Sequence, residues 1–453
     1  MTDVNSVINP ATEEVIAEFP MADVAEAEAA IDRSKKAQRE WASLSLNERR
    51  DGMLAIAAVV DANLEELARL ESSDVGKPIS DARGEVAMVA NCFRYYAGVV
   101  DKILGETIPV DGGVDMTFRE PMGVVAVISP WNFPLPIASW NIAPALAAGN
   151  SVIVKPADIT TLSTRRFGEL VATLNLPANL VQVICGPGRV VGRVLTSHPG
   201  VAKVSFTGST ATGQDVMRSA ADTMKRITLE LGGKSANVVF ADADLDLAIK
   251  SAPGAVFGNT GQDCCARSRI LVERKAFDDF VSGFVAATES LKIGDPADPE
   301  THLGPLVSRD HHSKVSSFIT DDAVLAGQAP DGPGFWMAPR VVVDPDLTSR
   351  VVTDEIFGPI AAIIPFDSEE EAIRLANDTI YGLSGSIWTT DLGRAFRVAR
   401  AMESGTLSVN SNSSVRLQTP FGGFKQSGFG RELGLEAING YTELKNVFIN
   451  TQA

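Results

Sequence analysis

The sequence is poor in the residues that build metal centres and disulfide frameworks. Its 453 residues include four cysteines and four histidines, and no two cysteines stand in a C-x-x-C spacing. This scarcity argues against a disulfide-stapled domain and a structural zinc module. No histidine stands in a recognisable triad or metal-ligand spacing, so we expect neither a histidine-activated nucleophile nor a metal site. His311 and His312 lie in a polar stretch and are expected on the surface.

Positive charge is also in short supply. Lysine and arginine number 40 against 57 aspartates and glutamates, a net charge of -17. This excess of negative charge disfavours binding to nucleic acid or to an anionic membrane. The first residues lack a basic region followed by an apolar run, so a cytoplasmic location is expected. The length and the hydrophobic fraction of 45% predict a globular protein of two or three domains.

One long segment, residues 121–154, has no charged residue at all. A membrane span is nevertheless excluded, because four prolines interrupt the segment and a lipid-exposed chain so broken would leave backbone groups unpaired. The pattern instead predicts a buried strand at 123–128, a helix at 135–148 and a second strand at 151–154. Strands that are apolar on both faces are typical of parallel sheets covered by helices.

The alternation of strands and helices extends through most of the chain. Residues 24–91 are predicted to be mainly helical, and repeated strand–helix units from residue 123 to residue 230 predict a doubly wound α/β sheet. The pattern restarts after Glu230 and predicts a second α/β domain. Residues 116–119 and 441–450 are predicted to be extended strands.

The G-x-G-x-x-G fingerprint of dinucleotide-binding folds is absent. In its place, Gly208 and Ser209 stand between a predicted strand and a predicted helix. Free N–H groups at a helix N-terminus suit a pyrophosphate, although the same residues also cap ordinary helices. Lys155 and Asp158 follow another strand and suit ribose hydroxyls. The alternative interpretation of that pair is a surface turn.

A cysteine and a glutamate suggest covalent catalysis. Cys264 follows a Gly-Gln turn, and Glu230 precedes Leu-Gly-Gly-Lys. A thiolate attacks as a nucleophile, and a carboxylate can activate water. The alternatives are that Cys264 is a small buried apolar residue and that Glu230 is a surface carboxylate at a strand end.

Seven motifs in one order resemble those of the aldehyde dehydrogenase superfamily, of the NAD(P)-dependent, non-CoA-acylating type. The similarity spans nearly the whole chain and includes an aminoaldehyde, betaine aldehyde and semialdehyde branch. The motifs are PWNFP at 130–134, KPAD at 155–158, FTGS at 206–209, ELGGK at 230–234, GQDC at 261–264, EIFGP at 355–359 and PFGGFKQSG at 420–428.

The resemblance implies an α/β fold with three parts. A Rossmann-like cofactor domain would take residues 1–102 and 121–231, and an α/β catalytic domain would take residues 232–432. A small β oligomerisation arm would take residues 103–120 and 433–453. Because relatives pair such arms between subunits, a homodimer or homotetramer is expected, and unpaired strand edges give a physical reason for the pairing.

The resemblance also implies the catalytic roles. Cys264 would attack the aldehyde, and Asn132, with the backbone N–H of Cys264, would stabilise the oxyanion. Glu230 would activate the water that hydrolyses the thioester, which favours an acid product over transfer to coenzyme A. Asn132 could otherwise be a polar turn residue. Cys265 matches no required role, although an oxidative pairing with Cys264 is an alternative.

For the cofactor, the resemblance implies NAD in a cleft bordered by eight residues. They are Trp131, Lys155, Asp158, Gly186, Gly208, Ser209, Glu355 and Phe357. Many NAD-preferring relatives have glutamate where Asp158 stands. Because a shorter carboxylate repels a 2′-phosphate less effectively, NAD preference with some NADP use is expected.

The substrate is expected to be a small-molecule aldehyde that passes Trp140 and Phe421. These aromatic positions line the tunnel of betaine- and aminobutyraldehyde-type relatives, and aromatic faces suit a cationic or apolar substrate. Core packing is the alternative for Trp140. A medium aliphatic, amino- or aromatic aldehyde is favoured over a semialdehyde carboxylate, because the arginines of succinate semialdehyde enzymes are missing at Trp140 and Gly258. Arg267 or Arg416 could replace them.

Two rival classes remain open at this point. A cysteine hydrolase could use Cys264 and Glu230 without a dinucleotide, but the doubly wound half would then have no purpose. A non-catalytic relative kept as a binding protein is the other class. The complete set of Asn132, Glu230 and Cys264 argues against it.

Overall fold

The computed structural model describes residues 4–413 and 415–452. The helices, in chain order, are α1 Val24–Ser43, α2 Leu46–Ala62, α3 Leu64–Val75, α4 Ile79–Ala97, α5 Pro134–Ala147, α6 Leu162–Val171, α7 Arg193–Ser197, α8 Thr210–Ala221, α9 Leu245–Phe257, α10 Phe277–Glu289, α11 Arg309–Ser316, α12 Arg350–Thr353, α13 Glu369–Asn377 and α14 Leu392–Ala401.

The strands lie between these helices and form several sheets. They are β1 Val4–Ile8, β2 Val15–Pro20, β3 Thr107–Val110, β4 Gly113–Pro121, β5 Val124–Ile128, β6 Ser151–Lys155, β7 Val181–Val183, β8 Lys203–Thr207, β9 Arg226–Glu230, β10 Ala236–Val239, β11 Arg269–Glu273, β12 Val324–Leu325, β13 Arg340–Val343, β14 Ile360–Phe366, β15 Tyr381–Gly382, β16 Ser384–Trp388, β17 Thr406–Val409, β18 Phe424–Lys425, β19 Gly428–Phe429 and β20 Thr442–Asn450.

The first large sheet has the order β19-β9-β8-β5-β6-β7, and every pairing is parallel except that of β19 with β9. Its strands are covered on both faces. Val125 and Val127 of β5 pack into a core with α2, α4 and α5, whereas Val124 and Ala126 face a second core with α1. Because successive strand residues point to opposite faces, one apolar run supplies both cores. The predicted doubly wound sheet is confirmed.

The charge-free segment folds as predicted, into β5, α5 and β6. Every residue of α5 is buried, which explains why the helix carries no charge. In the described part of the chain, no helix combines the length and the apolar character needed to cross a bilayer.

A second sheet has the order β12-β13-β14-β11-β10-β16-β17 and is parallel except for β12. All its strands lie within residues 232–432, the range predicted for the catalytic domain. The short strand β19 also lies in that range but pairs with β9 of the first sheet. The chain therefore returns from the second sheet to the first before it ends.

The third sheet, with the order β20-β4-β3, is antiparallel and carries exposed apolar side chains. It comprises the two extended segments predicted from the sequence. Leu444, Phe448 and Ile449 of β20 are all more than 45% exposed. Apolar groups on an edge strand are a surface that proteins usually cover.

A buried ion cluster lies where α3 ends and α4 begins. The Lys77 Nζ lies 3.6 Å from Glu71 Oε1 and 2.5 Å from Glu85 Oε2, and the ammonium stands 4.3 Å from the ring centre of Phe133. Burial raises the pKa of Glu85 to about 8, although Lys77 opposes the rise. We refer to Lys77, Glu71 and Glu85 as the ion cluster.

Candidate active site

A cavity of about 910 Å³ opens at the carboxyl ends of the first sheet, where α/β folds commonly bind ligands. Nine residues predicted from the sequence line it, although they come from distant parts of the chain. They are Trp131, Asn132, Lys155, Gly208, Ser209, Glu230, Cys264, Glu355 and Phe357. Four other predicted residues do not line it: Asp158, Gly186, Trp140 and Phe421.

Cys264 lies on a loop that a tight backbone turn holds in place. The turn follows α9, and Asn259, Thr260 and Gly261 all have left-handed φ angles, of 50°, 57° and 72°. A side chain at Gly261 would place its Cβ 2.3 Å from the carbonyl oxygen of Gly358, so only glycine fits. The Oε1 of Gln262 accepts a hydrogen bond from the backbone N–H of Val307 at 2.9 Å. This turn therefore fixes the position of the sulfur.

The thiol of Cys264 titrates well above the usual range. A hydrogen bond with Cys265 is the largest cause of its raised pKa, and burial is the next. The negative charges of Asp263 and Glu355 raise the pKa further. The raised pKa favours the neutral thiol at pH 7, so a nucleophilic role for Cys264 would require loss of its proton.

Asn132 is tied to the same loop. It is 3% exposed, and its Nδ2 donates to the carbonyl oxygen of Gln262 at 2.9 Å. Its own carbonyl oxygen accepts a bond from Asn259 at 3.2 Å. Since Nδ2 carries two hydrogens, one remains for an oxygen bound near the sulfur. The amide is thus held beside the loop that bears Cys264.

Glu230 ends β9 and is 3% exposed. Neither carboxylate oxygen has a hydrogen-bond partner among the described residues. Burial raises its pKa well above the usual value, and the neighbouring Glu432 raises it further. A buried carboxylate with a raised pKa and free lone pairs has the properties of a general base near neutral pH.

Gly422 forms the wall behind this carboxylate. A Cβ at that position would lie 2.7 Å from Glu230 Oε1, and the φ angle of 155° is one that side chains rarely adopt. The backbone of Gly422 therefore lies close to the Glu230 carboxylate, in space that a side chain would otherwise fill.

Glu432 is a buried acid that the sequence motifs did not identify. Asn141 Nδ2 donates to its Oε1 at 2.7 Å, and burial raises its pKa to about 7. Its backbone pairs with Phe421 on the same segment as Gly422. The sequence offered only a Gly-Arg-Glu string after the last motif, without a signal of burial.

The predicted cofactor residues from 155 to 209 come from three separate segments of the chain. Ser209 caps the helix α8, and its Oγ accepts from the backbone N–H of Thr212 at 3.3 Å. Lys155 lines the cavity, and its Nζ lies 2.9 Å from Asp158 Oδ1. Asp158 does not itself line the cavity but contacts it through Lys155. Gly186 packs against Ala22 instead, where a Cβ would be 2.8 Å from the Ala22 carbonyl oxygen.

Glu355 and Phe357 close the other end of the cavity. Glu355 Oε1 accepts from the Gly233 N–H at 2.9 Å, and burial raises its pKa. Phe357 has a left-handed φ of 61°, an unusual conformation for an aromatic residue. The hydrogen bond between Gly233 and Glu355 thus joins the turn at 355–357 to the segment after Glu230.

The prediction that His311 and His312 lie on the surface holds only in part, because both side chains are half-buried and His311 lines the cavity. The His311 ring contacts Trp131 and Phe357 edge to face, at 5.1 and 6.1 Å, and its Nε2 lies 2.7 Å from the Phe357 carbonyl oxygen. Burial lowers its pKa to about 4, so the imidazole is neutral at pH 7. The two aromatic partners come from distant segments, which a polar local sequence cannot reveal.

Trp140 and Phe421 belong to a buried apolar cluster and not to the lining of the cavity. Their rings meet edge to face at 5.5 Å, and they share an apolar cluster with Cys265, against which Cys264 packs. Of the two arginines considered for a substrate carboxylate, Arg267 is buried and donates to the Cys265 carbonyl oxygen at 2.8 Å. Arg416 is exposed and donates to the Ser413 carbonyl oxygen.

Comparisons with known proteins agree with this geometry. Betaine aldehyde dehydrogenase of Bacillus subtilis (strain 168) is 42% identical over 99% of this chain and 94% of its own length. The 2-hydroxymuconic semialdehyde dehydrogenase of Pseudomonas sp. (strain CF600) is 41% identical over 98% of this chain and 95% of its own. The crystal structure of betaine aldehyde dehydrogenase from Staphylococcus aureus in complex with NAD+ superposes with a TM-score of 0.96 at 38% identity, covering 100% of this chain and 92% of that one.

The family assignment rests on the match of nearly the whole chain. The model of the aldehyde dehydrogenase family matches residues 2–447. The predicted resemblance is thus confirmed, and with it the α/β fold class. The chain belongs to the aldehyde dehydrogenase family, whose members are NAD(P)-dependent oxidoreductases.

Proposed function

We propose that Cys264, Glu230 and Asn132 carry the family's oxidation of an aldehyde to a carboxylic acid. The observation that carries the proposal is that one cavity receives all three side chains from separate segments of the chain. Glu230 ends a strand of the first sheet, whereas Cys264 lies on the loop that leads into the second. The Glu230 carboxylate, which has no hydrogen-bond partner among the described residues, lines the same cavity as the Cys264 thiol.

The thiolate of Cys264 adds to the carbonyl carbon, and the carbonyl oxygen becomes an alkoxide. The free hydrogen of Asn132 Nδ2 and the backbone N–H of Cys264 donate to that oxygen. NAD bound in the cavity would supply a hydride acceptor. Loss of hydride from the tetrahedral carbon restores the carbonyl as a thioester on Cys264.

Hydrolysis then releases the acid. Glu230 takes a proton from water as the water oxygen attacks the thioester carbon. The carbon–sulfur bond breaks, and the products are a carboxylic acid and the free Cys264 thiolate. A carboxylate without competing hydrogen bonds suits this step, since its lone pairs remain available to water.

The cavity has features that fit NAD. The N-terminus of α8 presents backbone N–H groups at Ser209 for the pyrophosphate, and Gly208 leaves room for close approach. Lys155 and Asp158 would hold the adenosine ribose. Glu355 and Phe357 would hold the nicotinamide ribose and ring, with Trp131 along the same wall. The NAD+ in the Staphylococcus aureus relative supports this proposal.

Asp158 bears on the choice between NAD and NADP. Its Oδ1 is already engaged by Lys155 at 2.9 Å, and its side chain is 33% exposed. A negative charge there repels a 2′-phosphate, while the engaged lysine leaves less positive charge to attract one. We therefore expect NAD preference with some NADP use.

We further propose a homodimer or homotetramer assembled through β20. The apolar side chains of Leu444, Phe448 and Ile449 are exposed on this edge strand. Burial of such surface against a second copy of the chain is favourable.

The test is a panel of aldehydes, including aliphatic, aromatic, amino- and semialdehyde members, followed by reduced-nicotinamide absorbance with NAD and with NADP. Oxidation of at least one aldehyde with formation of its acid is expected. Absence of NAD binding in calorimetry would contradict the proposal and favour a cysteine hydrolase. Catalytic efficiency that is equal with both cofactors, or better with NADP, would reject NAD preference.

Glu230→Gln tests the base. Gln cannot accept the proton from water, so the variant should show a rapid burst of reduced nicotinamide followed by turnover reduced about 10²-fold or more. Stopped-flow absorbance resolves the two phases. Steady-state turnover equal to that of the unmodified protein would refute the role of Glu230.

A further inference from the structure

Three aromatic rings form one wall of the cavity, and all three residues line it. Trp131 follows β5, His311 lies in the first turn of α11, and Phe357 precedes β14. The ring centres are 5.1 Å apart for Trp131 and His311, 5.2 Å for Trp131 and Phe357, and 6.1 Å for His311 and Phe357. Because every pair meets edge to face, each ring restricts the other two. We refer to these three residues as the aromatic wall.

The backbone of Phe357 adopts a strained conformation that its surroundings must maintain. Its φ angle of 61° is left-handed, and a bulky residue keeps such an angle only where neighbouring contacts impose it. Before it in the chain, Glu355 Oε1 accepts a hydrogen bond from the Gly233 N–H at 2.9 Å. After it, Gly358 packs so closely on α11 that a Cβ there would lie 2.5 Å from Val315 Cγ1. The turn is therefore fixed on both sides of Phe357.

His311 supplies the contact at Phe357 itself. Its Nε2 lies 2.7 Å from the Phe357 carbonyl oxygen. Since a carbonyl oxygen can only accept, Nε2 carries the hydrogen and donates it. Burial lowers the pKa of His311 to about 4, so at pH 7 the imidazole is neutral and its Nδ1 carries no hydrogen. The bond from His311 thus satisfies a carbonyl that no backbone N–H among the described residues reaches.

The turn that His311 holds also touches the loop that bears Cys264. A Cβ at Gly261 would lie 2.3 Å from the Gly358 carbonyl oxygen, so the two backbones are in contact. His311 and Val315 are four residues apart on α11 and lie on the same face of the helix. One face of α11 therefore fixes the turn, and with it the position of the aromatic wall relative to the sulfur.

We infer that His311 is a positioning residue for the nicotinamide half of the cofactor and acts through the Phe357 backbone. The inference rests on the proposed function, in which Phe357 holds the nicotinamide ring. When the imidazole N–H is lost, the Phe357 carbonyl loses its donor and the strained backbone relaxes from its present conformation. The Phe357 ring then moves, and the nicotinamide end of NAD loses its contact. The adenosine half, which the proposed function places against Lys155 and Ser209, is not affected.

The experiment compares the binding of NAD with that of ADP-ribose, which lacks the nicotinamide ring. Calorimetry gives the Kd of each ligand for the unmodified protein, His311→Gln, His311→Asn and His311→Phe. Glutamine places an amide N–H where Nε2 stands, asparagine reaches only the position of Nδ1, and phenylalanine keeps a ring without a donor. The variants separate the hydrogen bond from the ring, and any one that does not fold leaves two others. His312→Asn is the matched control, because His312 contacts the Trp336 carbonyl and does not line the cavity.

The Kd of NAD should rise about tenfold in His311→Asn and His311→Phe, because the Phe357 carbonyl is left without its donor. His311→Gln should bind NAD almost as tightly as the unmodified protein does. The Kd of ADP-ribose should stay the same in every variant, and His312→Asn should bind both ligands normally. In steady-state kinetics, the KM for NAD should rise in the same order while the KM for the aldehyde does not.

Equal Kd values for NAD in all variants would overturn the inference. An equal loss for NAD and ADP-ribose would also overturn it, since it would indicate general damage to the cavity. Weak NAD binding by His311→Gln would show that the hydrogen bond is not the cause. Each of these results leaves the proposed function standing, provided that the unmodified protein oxidises an aldehyde with NAD. If the unmodified protein binds neither ligand, the proposed function fails and the inference with it.

Discussion

Glu85 and Glu230 both have raised pKa values because of burial, but Glu85 is 12% exposed at its side chain, Glu230 is 3% exposed, and their surroundings differ. Glu85 lies in the ion cluster, where Lys77 Nζ is 2.5 Å away. Glu230 has no hydrogen-bond partner among the described residues, and its strongest charged neighbour is another acid, Glu432. Burial costs both carboxylates their hydration. In the ion cluster a cation is in direct contact with the carboxylate and offsets the cost, whereas Arg431 lowers the pKa of Glu230 only by its charge, without a hydrogen bond.

The difference suggests that Glu85 stabilises the fold, whereas Glu230 is available for a reaction. A paired charge in a closed site holds α3 against α4, whereas an unpaired charge in an open cavity keeps its lone pairs for water. Their positions reinforce this contrast, because Lys77 lies over the ring of Phe133, the residue next to Asn132. One region should therefore govern stability and the other turnover.

Removal of the nucleophile should produce the largest effect. Cys264→Ala eliminates the atom that forms the thioester, so kcat should fall by roughly 10⁴-fold or more, while the free energy of unfolding changes by less than about 1 kcal/mol. Steady-state kinetics and urea unfolding measure the two quantities. Cys265→Ala is the matched control and should retain most of the turnover. Full activity of Cys264→Ala would support a non-catalytic relative.

Loss of the cation from the ion cluster should act on stability. Lys77→Met removes the only cation recorded against Glu71 and Glu85 in the described part of the chain. Two buried carboxylates are then left uncompensated, and the free energy of unfolding should fall by about 3–5 kcal/mol. The urea midpoint measures this loss. An unchanged midpoint would show that the cluster does not need its cation.

Removal of the acid beside Glu230 should change the pH dependence of turnover. Glu230 must be ionised to accept a proton, so kcat falls as the pH drops through its raised pKa. Because the charge of Glu432 raises that pKa, Glu432→Gln should lower it and move the acid limb of kcat to lower pH. A pH–rate profile at saturating aldehyde and cofactor measures the shift. An upward shift would contradict the coupling.

An exposed ion pair should give the smallest effect and serves as the control for Lys77. Arg274 binds Asp367 through two bonds, of 2.6 and 3.0 Å, but both side chains are about 60% exposed. Water already solvates these charges, so Arg274→Met should leave the free energy of unfolding almost unchanged. A loss as large as that of Lys77→Met would show that burial does not explain the comparison.

The sequence predicted the parts of the molecule that local pattern controls. The β5–α5–β6 unit appears within one residue of its predicted bounds, because apolar strands and a proline-initiated helix leave local signals. Cys264, Glu230 and Asn132 were found because each lies within a motif, and the structure places them at one cavity.

The parts that the sequence did not reveal depend on contacts between distant segments. His311 is half-buried against Trp131 and Phe357, and the Phe357 carbonyl it contacts is 46 positions away. Glu432 is buried by residues such as Asn141, a separation of 291 positions. A short stretch of charged and polar residues normally indicates an exposed segment. Burial that arises from contacts with distant segments therefore cannot be predicted from that stretch.

The size of the residue at position 422 controls the space available to the Glu230 carboxylate. The Glu230 carboxylate rests against a position that has no side chain, where an added methyl group would meet its Oε1 at 2.7 Å. The absence of a Cβ at Gly422 thus leaves room for the Glu230 carboxylate in its present position. A larger residue at position 422 would displace the carboxylate without changing its chemistry. Protein engineers who want the thioester to persist for capture by an added amine or thiol could therefore alter Gly422 and leave Glu230 untouched.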